Sequence, residues 1–304
     1  MQLGFVSAIL HDLDLEHVLQ LASDEHFDCV ELMCWPPGRP DRKYAGVSHL
    51  DAGSLTRAEA DRINQLARSL GVALSALGYY PNPLDPDETA ANRAAEHLKR
   101  VIDTAALLGL PTVNTFIGAD HRRDLEHNLD RFERIWPPLV QHAENRDVRI
   151  AIENCPMLFT ADEWPAGKNL ARSPAVWQRM FDAIPSDHFG LNYDPSHLVW
   201  QQMDPLAPLR RFRHKLFHVH AKDARIDRDA LNEHGILAAP LQYHQPRIPG
   251  FGEIDWPAFL GTLRETSYDG PVCIEVEDPT FGKTLEGRVR ALRTARNVLA
   301  PFFP

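Results

Sequence analysis

The chain is predicted to fold as a single α/β domain over 1–304, a closed (β/α)8 TIM barrel with long loops at its C-terminal rim, and three observations predict it. Eight short runs rich in β-branched and apolar residues alternate with longer stretches whose apolar residues recur at helical spacing. The alternation fills 304 residues, enough for one large core, and parallel strands joined by such crossovers lose their exposed edges when the sheet closes. No GxGxxG follows the first strand and no P-loop pattern occurs, which argues against the open doubly wound sheet.

The strands are expected at 2–6, 29–33, 72–78, 112–117, 148–153, 189–193, 216–221 and 272–277. After the first, Leu15, Val18, Leu19 and Ala22 mark one face of a helix; before the third, Ile63, Leu66, Ala67 and Leu70 mark another, with Gly71 at its stop. The long helical segment 87–108 stops at Gly109. Three strand-to-helix loops are long, 34–55, 154–172 and 224–254, and they fall on the rim where barrel active sites lie. The third carries Arg247-Ile248-Pro249-Gly250 and Gly252 near its end, the composition of a segment that covers a substrate or of a surface insertion.

Composition narrows the function. The chain is 44% hydrophobic and 24% charged, ordinary for a globular protein. A net charge of −10 without basic tails argues against a nucleic-acid partner, because phosphate contacts need clustered Lys and Arg. His11 and Asp12 interrupt the N-terminal run, and no stretch approaches the roughly 20 apolar residues of a membrane span, so a cytoplasmic protein without a membrane partner is expected. Cys29, Cys34, Cys155 and Cys273 show no CxxC spacing and read as buried thiols.

The candidate site follows from the strand ends. Glu153, Asp194, His220 and Glu275 each end a different expected strand, so closure of the barrel brings them to one rim. One such carboxylate alone is ordinarily a helix cap or ion-pair partner; three with an imidazole are a divalent-metal set. Hard oxygen donors with one imidazole suit Mn2+ first, then Mg2+, Co2+ or Zn2+. Glu277 and His218 share strand parity with Glu275 and His220, and the second member of each pair of alternatives is preferred as ligand. His197 is expected at a substrate oxygen, beside the metal, or as a cap in its own turn. Lys222 and Asp223 are expected to bind substrate oxygens or to pair with each other. Glu31, Trp35, Tyr79, Tyr80, Asn114 and His121 would form a sugar-facing wall or plain packing.

The ordered set IEN, NYDPSH, HVHAKD, RIPGFGEIDW, SYDG and IEVEDP resembles the xylose-isomerase-like barrels of sugar isomerases and epimerases, over essentially the whole chain. The resemblance implies that Glu153, Asp194, His220 and Glu275 hold the ion, that His197 and Arg247 contact substrate oxygens, and that the two glutamates serve as the acid and base pair. It also implies a homo-oligomer. A second glutamate that tagatose-type 3-epimerases carry six positions after the first is replaced here by Phe159. The DNA-cutting members need extra histidines where this chain has Tyr79-Tyr80, Phe116-Ile117-Gly118 and Asp223-Ala224-Arg225.

The expected chemistry starts from a ketone oxygen and a neighbouring hydroxyl chelated to the ion, which stabilises the enediolate left when an α-proton departs. Return of a proton to the opposite face is epimerisation, and to the neighbouring carbon isomerisation. The activity expected is therefore isomerase or epimerase on a keto-sugar, keto-glycoside or inosose, with a lyase on the same scaffold as the alternative.

Overall fold

The computed structural model describes residues 1–36, 45–158, 160–164 and 166–303. Phe159 and part of the loop 34–55 lie outside the described residues. Barrel strands β1 (Gln2–Val6), β2 (Cys29–Met33), β3 (Ala73–Gly78), β4 (Thr112–Thr115), β5 (Arg149–Glu153), β6 (Phe189–Tyr193) and β7 (Leu216–Ala221) follow in order. Two short strands, β8 (Asp223–Ile226) and β9 (His244–Arg247), then form an antiparallel hairpin before the last barrel strand, β10 (Pro271–Ile274). The sheet closes in the order β1-β10-β7-β6-β5-β4-β3-β2 with every neighbour parallel.

The helices are α1 (Leu15–Asp24), α2 (Arg57–Ser69), α3 (Glu88–Leu108), α4 (Leu125–Glu144), α5 (Pro174–Ala183), α6 (Ser196–Val199), α7 (Ala207–Arg211), α8 (Arg228–His234), α9 (Trp256–Glu265) and α10 (Leu285–Leu299). The side chains of Asp14, Thr56, Asp87 and Asp124 accept from the first-turn N–H groups of α1 to α4, which fixes where those helices begin. Gly109 ends α3 in the left-handed conformation, φ 74°, as expected of a helix stop. Among the described residues no helix is long and apolar enough to cross a membrane.

The strands are buried on both faces, as a closed parallel sheet requires. Val30, Leu32, Val113, Ile150, Ile152, Leu191, Val219 and Ile274 join helix residues such as Leu98, Phe132 and Leu292 in one apolar cluster. The inward face carries Glu31, Ser75, Asn114, Asn192, His218 and His220, all buried. β3 and β5 each begin one residue later than expected, and two strands end early. β4 stops at Thr115 because the N–H groups of Ile117 and Gly118 donate to Asn169 Oδ1 (3.0 and 3.2 Å). β10 stops at Ile274, so Glu275 and Glu277 lie beyond the strand, although Glu275 N still donates to Ala221 O at 3.2 Å. The expected loop 224–254 holds the hairpin and α8, whose four-residue strands are too short for an alternation to show.

Candidate metal centre

Glu153 is the last residue of β5, Asp194 and Glu275 directly follow β6 and β10, and His220 is next to last in β7. One donor atom from each lies within 4.8 Å of the others. His220 Nδ1 stands 3.7 Å from Glu153 Oε1 and 3.5 Å from Glu275 Oε2. The rim is held by side-chain clamps. Asn154 donates to Asp194 O (2.8 Å) and accepts from Asp194 N (2.7 Å), locking the ends of β5 and β6 together. Asn169 donates to the carbonyls of Glu153 and Cys155 (2.9 and 2.7 Å), tying the same end to the loop after β4.

The residues fit a divalent ion. His220 Nδ1 is buried without a hydrogen-bond partner, which is rare for a polar atom, and Asp194 Oδ2 beside it is met by the Lys222 ammonium (3.0 Å) and His197 Nε2 (3.2 Å). Three carboxylates and one imidazole are the donor set that Mn2+, Mg2+, Co2+ and Zn2+ accept. Burial opposes the charge on Glu153 and Asp194, but His197 and His220 beside Glu153, and Lys222 and His197 beside Asp194, hold both carboxyls below their usual range.

On its other edge His220 meets the barrel interior. Its Nε2 is 2.8 Å from Glu31 Oε2, and Tyr80 donates to Glu31 Oε1 at 2.5 Å. Asn192 Nδ2 is 3.0 Å from the same Nε2, and its Oδ1 is 3.0 Å from His218 Nδ1. His218 Nε2 in turn reaches Ser75 Oγ at 3.3 Å. Burial alone would raise the Glu31 carboxyl; the imidazoles of His220 and His218 and the Tyr80 hydroxyl outweigh it and hold the group at about 2. Gly78 makes the space: a Cβ there would collide with Glu31 Oε1.

His197 opens into the cavity from α6. The indole N–H of Trp200 donates to His197 Nδ1 at 3.2 Å, so the ring's own proton sits on Nε2, 3.2 Å from Asp194 Oδ2 and 3.6 Å from Glu153 Oε1. Lys222 places its buried ammonium among the carboxylates, 2.7 Å from Glu275, 3.0 Å from Glu277 and 3.0 Å from Asp194. Of the two alternatives for Lys222 and Asp223, the pairing with each other is not formed. Asp223 accepts instead from Trp256 Nε1 (3.0 Å) and the N–H groups of Gly250, Ile254 and Ala224 (3.1, 3.1 and 2.9 Å), pinning the RIPGFGEIDW segment.

A cavity of about 880 Å³ runs from Lys222, His197 and Glu277 outward to α3. Trp35 lines it and packs edge-on against Tyr79, centroids 5.0 Å apart. Arg247 and His121 are not among the described residues that line it. The Arg247 guanidinium is engaged with Asp278 (3.3 Å), Thr280 and Gln245, a contact that an acid lying 31 positions away does not advertise in sequence. Sequence reading missed Asn192 and the outer wall formed by Arg93, His97 and Arg100 of α3. Their helical spacing marks one face of α3, but only the fold shows that this face lines a cavity.

A family model described as "Xylose isomerase-like TIM barrel" matches residues 19–300. The uncharacterized protein YfiH of Bacillus subtilis (strain 168) is 26% identical over 92% of this chain and 94% of its own length. The inosose dehydratase of Clostridium tetani (strain Massachusetts / E88) is 32% identical over 33% of this chain and 35% of its own, so the chain matches about a third of that relative. Among solved structures, the IolI protein with a bound zinc atom superposes with a TM-score of 0.72 at 19% identity, covering 100% of this chain and 99% of that one.

Proposed function

The chain belongs to the xylose isomerase-like TIM-barrel family, and from that premise we propose that it is a divalent-metal-dependent isomerase or epimerase of a keto-sugar, keto-glycoside or inosose. The observation that carries the reading is the set Glu153, Asp194, His220 and Glu275, whose donor atoms converge within 4.8 Å at the rim. These four would hold the ion, Mn2+ being the first choice. When bound, it would polarise a substrate carbonyl and stabilise the negative charge that develops on the substrate oxygens.

The protein supplies the proton transfers. β5 and β10 are separated in the barrel by β6 and β7, so Glu153 and Glu275 approach the site from different sides. One glutamate removes the α-proton from one face and the other returns a proton to the opposite face. Lys222, 2.7 Å from Glu275 Oε2, holds that carboxylate in place at the rim. His197, with its proton on Nε2, donates to a substrate oxygen, and Trp35 gives the sugar an apolar wall. A cavity of about 880 Å³ has room for a glycoside as well as a free sugar.

A second reading, β-elimination on the same scaffold, is favoured by the relative named as an inosose dehydratase. Both are tested by NMR of Mn2+-activated reactions in D2O, quenched and freed of the ion, with ketohexoses, inososes and 3-keto-glycosides. Deuterium next to the carbonyl together with a new stereoisomer or aldose-ketose pair is the expected result. Exchange with loss of water or an aglycone would replace it by the lyase, and no exchange with any of them would overturn both.

A further inference from the structure

We propose that Glu31 is a positioning residue that acts through His220: its carboxylate keeps a proton on Nε2 and so presents Nδ1, bare of a proton, to the ion. The inference rests on the metal reading of the preceding subsection and adds the element that decides which nitrogen binds. An ionised carboxylate only accepts hydrogen bonds, so a ring nitrogen 2.8 Å from Glu31 Oε2 must be the donor. Both groups are fully buried, and no water competes for the contact. Tyr80 fixes the carboxylate from its other oxygen at 2.5 Å. The nearby Asn192 amide does not reverse the assignment. Its Oδ1 faces His218 Nδ1 at 3.0 Å, and its Nδ2 has the Tyr80 oxygen to donate to at 3.3 Å.

With Nε2 engaged, His220 has one nitrogen left. Nδ1 has no hydrogen-bond partner and lies 3.5 Å from Glu275 and 3.7 Å from Glu153. Glu31, His218 and His220 form another group with donor atoms within 4.8 Å, which would bind an ion through Nε2. That group is spoken for: His218 is hydrogen-bonded on both nitrogens and both Glu31 oxygens accept bonds. The unpartnered ring nitrogen, His220 Nδ1, belongs to the rim set instead. A carboxylate behind a ligating imidazole fixes its tautomer and raises its basicity, and losing such a partner costs about 10- to 100-fold in metal affinity.

The test uses the full chain, Zn2+ as a diamagnetic probe, calorimetric titration, and two-bond 15N–1H correlation of the histidine rings. In the wild type, Zn2+ is expected on His220 Nδ1 with the proton retained on Nε2. Glu31→Gln keeps an acceptor oxygen and should hold Zn2+ affinity within about threefold, whereas Glu31→Met removes it and should weaken binding about 10- to 100-fold while Asp194 and Glu275 are untouched. Zn2+ on Nε2 in the wild type overturns the inference even if Glu31→Met fails to fold. Zn2+ binding unaltered in a folded Glu31→Met protein overturns it while leaving the metal reading in place. A wild-type protein that binds no divalent ion removes the metal reading and the inference together.

Discussion

The two faces of the same barrel strands follow different rules. Outward, Ile150, Ile152, Leu191, Val219 and Ile274 meet the helices in an apolar layer where any residue of similar shape would serve. Inward, Glu31, Asn192, His218 and His220 are just as buried, yet they are hydrogen-bonded to one another, with His220 Nδ1 left facing the rim. Stability and chemistry are thus separated by strand parity, a single residue step along the chain.

The sharpest way to break this separation is at the rim. Glu153→Gln or Glu275→Gln should lower turnover by about 10²- to 10⁴-fold in steady-state assays with the fold retained, while Glu277→Gln should do much less. If Glu277→Gln were the more damaging, the last strand's ligand would be the wrong glutamate. On the outer face, Ile152→Ala should cost about 2–5 kcal/mol in denaturant unfolding and leave Mn2+ affinity unchanged. A matching loss of Mn2+ affinity would mean that the faces are not independent. Lys222→Met removes a cation that shares Asp194 and Glu275 with the ion, and Mn2+ should bind roughly tenfold more tightly in calorimetry.

A separate effect, read in stability rather than in binding or turnover, lies in the cavity lining. Burial lowers the His244 imidazole from 6.5 to about 4, with its ring stacked on Trp200 at 5.1 Å. The unfolded chain therefore takes up this proton before the folded one does, and stability drains away as pH falls from 6.5 towards about 4. His244→Phe should flatten that part of the thermal-stability profile against pH; an unchanged slope would remove His244 as its source.

Much of the barrel was legible because its strands announce themselves as apolar runs between helical periods, and the rim set because its four residues end successive strands. Contacts across the barrel left no such mark. Glu31 and His220 are 189 positions apart, and nothing local in VELM distinguishes a glutamate beside an imidazole from one facing a sugar. Lys222 and Arg247 were recognisable as cations near the rim, but long side chains choose among several acids by geometry alone. The role of Asp223 was hidden for a related reason: its partners are mostly backbone N–H groups, which every residue but proline carries.

Gly78 makes the residues around it interdependent. A Cβ there would meet the Glu31 carboxylate, Met33 Sδ and Tyr80 Cε2, so a side chain at 78 and the acid at 31 are not independent choices. The effect of a substitution at one of these positions is therefore expected to depend on which residue occupies the other.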